Sequence, residues 1–339
     1  MHDPYADQWS RRKFLAGLTL AGTAGLLGLK PRLVAAEPPP ETSTIRLVQA
    51  PAICPAPYYV AEEFLQGEGF TQVHHFQMER QLFTQALLAD EVDIVLNFVG
   101  PLLAGLDAGD PLVILAGAHV GCFELIATEQ IRAIRDLKGK TVAVTEIGGP
   151  DHSFLASMVA YVGLDPRRDI HWVTHPVGES TPLLAEGKID ALLALPPSAQ
   201  ELRAKKIGHV VVNSSVDRPW SLYFCCMVYT RWEFVRKYPV ATKRVLRAIL
   251  KAADVCALEP ERAARFLVDK GYTPRYDYAL QAMKDVPYNK WREYNPEDTV
   301  RFYALRLHEA GMIKSSPQKL IAQGTDWRFL NELKRELKG

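Results

Sequence analysis

The sequence is short of a charge surplus: 40 Lys and Arg stand against 39 Asp and Glu in 339 residues, a net charge of +1. A balance this close to zero argues against a chain that grips nucleic acid by its phosphates, which needs a basic excess. Cysteine is sparse and odd in number, five in all, so a disulfide framework does not hold the fold. Beyond residue 40 no apolar run reaches the roughly 18–20 residues that span a bilayer. The G-x-S-x-G and H-E-x-x-H signatures are missing, which removes two familiar hydrolase sites. Gly139-Lys140-Thr141 lacks the upstream glycine of a phosphate loop, and Gly67-x-Gly69 lacks the third glycine of a dinucleotide fingerprint. Asp and Glu are plentiful, but no spacing singles out an acid/base pair.

What is present is an ordinary globular composition, 48% hydrophobic and 23% charged. Residues 1–36 read as an address. Ser10-Arg11-Arg12-Lys13-Phe14-Leu15 is a twin-arginine export pattern, an apolar Gly/Ala-rich stretch follows, and Val34-Ala35-Ala36 offers small residues for cleavage. Losing that segment removes five basic and two acidic residues and leaves a net charge of −2. Residues 37–43, with three consecutive prolines, read as a stiff linker.

From residue 44 strand and helix patterns alternate, the rhythm of a mostly parallel α/β sheet. Strands are expected at 44–50, 72–78, 93–98 and 112–118, then at 124–128, 141–145, 170–174, 190–195 and 209–213. Helices are expected between them, and only helices from Phe234 onward, the longest at 240–258 with apolar residues three and four apart. One unit occurs twice: Leu88-Ala89-Asp90-Glu91-Val92-Asp93-Ile94 matches Ala185-Glu186-Gly187-Lys188-Ile189-Asp190-Ala191 without a gap. Each is a helix end, a tight turn, an aspartate that fixes the turn, and a buried strand. Two similar lobes therefore each present a strand end, and ligands of open α/β sheets bind beyond such ends.

The order of these segments resembles periplasmic substrate-binding proteins of ABC transporters, in the nitrate/sulfonate/taurine group. The likeness covers about residues 42–290. It rests on Pro55-Ala56-Pro57-Tyr58-Tyr59-Val60-Ala61 after the first strand, on Val92-Asp93-Ile94, on Leu137-Lys138-Gly139-Lys140-Thr141-Val142-Ala143-Val144, and on Phe234-Val235-Arg236-Lys237-Tyr238-Pro239 before a long helix. The group is related to fungal enzymes that make the thiamine pyrimidine, which carry a cysteine-rich segment at the place of Phe224-Cys225-Cys226-Met227. Only two cysteines stand here, so the richer iron-associated cluster is not reproduced.

The resemblance implies a two-lobe periplasmic-binding-protein fold, each lobe a mixed, mostly parallel sheet flanked by helices. The first lobe would hold 42–122 and 225–339, the second 125–220, with crossings near 122–128 and 221–230. It implies hinge closure on a small molecule and delivery to a membrane permease in the periplasm, with no cofactor, no nucleic acid and no chemistry performed. The alternative is an enzyme of pyrimidine or related cofactor metabolism; the export pattern argues against it. Use as a sensor subunit stays open.

Candidate ligand contacts follow the strand ends. Pro55, Tyr58 and Tyr59 follow the first strand and offer a fixed loop with flat faces, or else simple packing. Asn97, Phe98 and Gly100 end a buried strand, and His119 ends another. Gly148, Gly149, Asp151, His152 and Ser153 open a helix, where glycines and free N–H groups admit a polar oxygen; a plain capped turn is the alternative. Pro196 and Tyr223 complete the set. No Arg or Lys lies in these loops, which leans toward a flat or partly apolar ligand rather than a strongly anionic one. Cys225 and Cys226 are adjacent on a strand and should point to opposite faces, unsuited to one metal; His74 and His75 split likewise.

Overall fold

The computed structural model describes residues 37–337. The export segment read at 1–36 lies outside them. The body from Pro39 onward carries two five-stranded sheets. The elements of the first run β1 (Thr44–Gln49), α1 (Ala56–Val60), α2 (Glu62–Leu65), β2 (Gln72–Gln77), α3 (Phe83–Leu88), β3 (Ile94–Phe98), α4 (Val99–Ala108) and β4 (Leu112–Val120). The second sheet takes β5 (Glu124–Ala127), β6 (Lys140–Val144), α5 (Pro150–Tyr161), β7 (Ile170–Thr174), α6 (Val177–Ala185), β8 (Ala191–Ala194), α7 (Ser198–Lys205) and β9 (His209–Asn213). The chain then returns to the first sheet as β10 (Phe224–Arg231). Helices α8 (Trp232–Lys237), α9 (Pro239–Leu258), α10 (Pro260–Asp269), α11 (Tyr276–Asp285), α12 (Pro296–Glu309), α13 (Pro317–Gly324) and α14 (Arg328–Glu336) follow. Among the described residues no helix is long and apolar enough to cross a membrane.

Strand order is β2-β1-β3-β10-β4 in the first sheet and β7-β6-β8-β5-β9 in the second. Both are mixed. β1 runs parallel to β2 and β3, while β10 runs antiparallel to β3 and β4. β6 runs parallel to β7 and β8, while β5 runs antiparallel to β8 and β9. Every residue of β3, β4 and β10 is buried, as strands covered on both faces must be.

The repeated sequence unit has a repeated structural job. Asp93 Oδ2 accepts the Arg46 N–H at 2.7 Å, and the Asp93 N–H donates to the Arg46 carbonyl at 2.9 Å. Asp190 does the same with Thr141, at 2.8 Å each way. Each aspartate clips the start of its strand to the parallel neighbour, one in each sheet. Asp93 adds a side-chain pair with Arg46, which Asp190 has no counterpart for in Thr141.

The chain leaves the first sheet between Val120 and Glu124 and returns between Asn213 and Phe224. Ser214 ties the two passages together: its Oγ accepts the Cys122 and Phe123 N–H groups at 3.2 and 2.9 Å and donates to the Phe123 carbonyl at 2.8 Å. Gly121 sits at φ +59° with the Ser215 backbone 2.4 Å from where a Cβ would stand, so only glycine fits. Helix α12 packs on α5 of the second sheet through Tyr303 and Phe154, ring centres 5.8 Å apart.

Candidate functional site

The C-terminal ends of β1, β3 and β4 converge with the start of β10. Register places Cys226 opposite Phe98 of β3 on one side and His119 of β4 on the other. Cys54, in the loop after β1, joins them, and so does Cys122 just past β4. All of these residues are buried. The alternation of β10 is broken by register shifts between Phe224 and Cys226 and between Cys226 and Met227. An extra residue in a strand re-aims its neighbours, and here Cys225 and Cys226 both reach Cys122, the Cys122 and Cys225 sulfurs lying 3.3 Å apart. The opposite-face expectation for this pair therefore fails at the bulge.

The residue missed by sequence is Arg80. It lies in the short 3-10 turn Arg80–Leu82 after β2 and is half-buried. Its Nη2 donates to Asn97 Oδ1 at 2.7 Å, its Nη1 reaches Cys54 Sγ at 3.6 Å, and its carbonyl accepts from Asn97 Nδ2 at 3.4 Å. Nε is buried without a partner. Among the described residues no carboxylate pairs with this guanidinium. Burial works against its charge, but the thiols of Cys54, Cys226 and Cys122 and the Tyr59 phenol more than offset that and push its pKa up. The reading that the site loops lack a cation is corrected: the cation comes from the end of β2, a strand terminus whose following turn was not considered. The signal was in the strand-end rule itself.

The tyrosines are committed to packing. Tyr58 donates to the Ile94 carbonyl at 2.8 Å and accepts the Val48 N–H at 2.9 Å. Tyr59 donates to the Ala50 carbonyl at 2.8 Å and stacks on Tyr272, ring centres 3.9 Å apart. Both pin α1 to the first sheet. Pro55 caps the start of that helix and is buried beside Cys54. Phe98 meets Phe123, Phe154 and Tyr303, with ring centres 5.8, 5.2 and 5.3 Å away.

The start of α5 satisfies itself. Asp151 accepts the Thr145 N–H at 2.6 Å and the Thr145 hydroxyl at 3.0 Å; burial raises its pKa against those bonds. His152 Nδ1 accepts the Gly148 N–H at 3.0 Å, and its ring meets the Trp172 indole at 4.7 Å. Burial lowers the His152 pKa to about 4. Ser153 Oγ donates to the Gly149 carbonyl at 2.8 Å. Gly148 is exposed at φ +87°, and Gly149 is buried.

The two helix starts touch. A Cβ on Gly100 of α4 would stand 2.5 Å from Ser153 Oγ of α5. Nearby, the Ile53 N–H donates to the Pro196 carbonyl at 3.5 Å. Asn97, Phe98 and His119 thus share one buried cluster with Arg80, Cys54, Cys122 and Cys226. Gly100 and Pro196 mark where the second sheet's elements press on it. Tyr223 stands elsewhere: it is half-buried, stacks on Phe302 at 4.0 Å and lines a groove of about 600 Å³ with Tyr294 and Arg301.

A half-buried cation flanked by an amide and thiols, with an imidazole in the same cluster, at strand ends where two sheets meet, suits capture of a small polar solute. Contact with Cys122 lowers the Cys54 pKa, but Cys226 and burial outweigh this and push it up to about 11; for Cys226 burial works upward, but contacts with Cys122, Cys225 and Cys54 outweigh it and hold the thiol below its ordinary value.

The model of the NMT1-like family matches residues 39–267. Among solved structures, the periplasmic nitrate-binding protein NrtA from Synechocystis PCC 6803 is 15% identical, with 89% of this chain and 90% of that chain covered and a TM-score of 0.74. The alkanesulfonate-binding protein SsuA from Xanthomonas axonopodis pv. citri, bound to MOPS, is 15% identical, with 86% and 100% covered and a TM-score of 0.68. The desulfurization enzyme DSZB is also 15% identical, with 86% and 99% covered, at a TM-score of 0.59. The comparison with curated proteins gives no match. At such identities the likeness shows the fold, that of periplasmic binding proteins.

Proposed function

Because this chain belongs to the NMT1-like family, we propose that it is a solute-binding protein that captures a small organic anion between its two sheets and hands it to an ABC importer. One observation carries the reading: the half-buried Arg80 guanidinium, its Nε wholly shielded, has no carboxylate partner among the described residues. A half-buried guanidinium that faces thiols and an amide keeps N–H donors for a ligand carboxylate or sulfonate, which it would hold through bidentate N–H···O bonds. Asn97, which already holds Arg80, orients the fork.

Capture would proceed by hinge closure. The passages at 121–123 and 214–223, joined by Ser214, are the short segments about which the sheets can rotate. Closure brings Gly100 against Ser153 and Ile53 against Pro196. The twin-arginine pattern and the binding-protein fold support residence in the periplasm, with a membrane permease as the receiver of the closed form. The enzyme reading has a structural neighbour in its favour, the desulfurization enzyme; the export pattern of residues 10–36 supports binding instead.

The test is native mass spectrometry of the chain purified through its own export route, followed by calorimetric titration with nitrate, alkanesulfonates, aromatic carboxylates and pyrimidines. Saturable binding of an organic anion, released unchanged on unfolding, is expected. Saturable binding of neutral compounds only, or conversion of the compound, would overturn the proposal.

A further inference from the structure

We propose that Cys54, His119 and Cys122 form a binding site for a soft divalent metal ion of the zinc type, with two thiolates and one imidazole as ligands and a fourth position open to water or to the solute. One donor atom from each residue lies within 4.8 Å of the other two, and all three residues are buried. Bonds of about 2.3 Å to sulfur and 2.0 Å to nitrogen set tetrahedral ligands roughly 3.5–3.8 Å apart. The cluster needs to contract by about 1.3 Å at most.

A second observation points the same way. His119 Nδ1 lies 2.9 Å from the Gly121 carbonyl. A carbonyl only accepts, so that nitrogen carries the proton and Nε2 is left with a bare lone pair. The residue is 0% exposed, and Nε2 is buried with no hydrogen-bond partner. Buried polar atoms are rarely left unsatisfied. An imidazole whose far N–H is held by a backbone carbonyl is the usual state of a metal-ligating histidine. Cys122 itself adopts φ +146°, a conformation that L residues rarely take.

The charges balance. Each thiol gives its proton to solvent, so a divalent ion with two thiolates and a neutral imidazole makes a neutral centre and releases two protons. Arg80, 3.6 Å from Cys54 Sγ, then remains the cation that faces an incoming anion. The metal site does not depend on the solute reading, since its ligands are in place whatever the cleft takes. The soft thiolates favour zinc over magnesium or calcium, which prefer oxygen.

The full chain, reduced and stripped with a chelator, is titrated with cobalt(II) as a spectroscopic probe and then with zinc. The expected result is one equivalent of cobalt with a thiolate-to-metal charge-transfer band, displaced by zinc. Cys54→Ser and His119→Gln should each weaken binding by at least about tenfold, while Cys256→Ser, a buried cysteine not among these ligands, should bind as the parent does. Circular dichroism checks each fold, and X-ray absorption of the zinc-loaded parent gives a count of two sulfurs that needs no variant. Absence of the band, equal binding by the ligand variants, or loss of two hydrogens by a Cys122–Cys225 disulfide in place of metal uptake would overturn the site.

Discussion

Arg80 and His152 show how one buried side chain sets a measurable property. Arg80→Met removes a half-buried cation that no carboxylate among the described residues balances. Anion affinity should fall by about 100-fold, roughly 2.7 kcal/mol, while the melting temperature falls modestly, because Asn97 Oδ1 loses its partner. Calorimetry with the solute and a thermal melt check both halves. His152 is held neutral, its pKa lowered by burial to about 4 against an ordinary 6.5. The fold therefore keeps this contribution in full above pH 6.5 and loses it as pH falls through about 4. That window is worth on the order of 3 kcal/mol. Asp151, raised by burial, titrates in the opposite sense, so the comparison that isolates the histidine is urea unfolding of the parent and His152→Gln at pH 7 and pH 4.5. The variant should lose less stability between the two.

At the scale of elements, the starts of α4 and α5 are fitted to one another by the absence of a side chain at Gly100. Gly100→Ala puts a methyl 2.5 Å from Ser153 Oγ and 2.7 Å from the Phe98 ring. Overpacking of this kind costs about 1–3 kcal/mol. Here it should act mainly on the approach of the two sheets, giving a larger radius of gyration in small-angle scattering and weaker solute binding. The strand ends teach a related lesson. The expected strands at 44–50, 170–174 and 209–213 are found at Thr44–Gln49, Ile170–Thr174 and His209–Asn213, because β-branched runs with flanking turns mark them. Helix α13 at Pro317–Gly324 was not legible, since its short polar repeat carries little periodicity. Helix α5 starts at Pro150, four residues earlier than its apolar stretch suggests, because proline is favoured in a first turn.

For the whole molecule, an aromatic core around Phe98, Phe154 and Tyr303 joins elements of the two sheets, and polar pairs add to it at the rim. Arg203 of α7 pairs with Asp285 of α11 at 2.5 Å and lies 3.6 Å from Glu124. Gln200 adds a bond to the same carboxylate at 3.4 Å. Asp285→Asn removes the charge that α11 offers to α7. The exposed part of such a pair is screened and contributes about 1 kcal/mol or less, so the fold should persist. The closed form should become less populated, with solute affinity falling about two- to fivefold and dissociation accelerating in stopped-flow measurements.

The sequence by itself determined the α/β alternation, the doubled aspartate unit and the family. These are local: hydrophobic runs, turn residues and short motifs are read within a few residues of one another. It also placed Asn97, Phe98 and His119 at strand ends, since the rule for such ends is local too. Only the tertiary structure decided what stands beside them. Arg80 reaches Asn97 and Cys54 across 17 and 26 positions, and the bulge in β10 turns Cys225 and Cys226 toward Cys122, 103 positions from Cys225. It likewise gave the hydroxyls of Tyr58 and Tyr59 to the backbone of the first sheet. Register, bulges and the choice of hydrogen-bond partner come from packing at long range, and no window of sequence contains them.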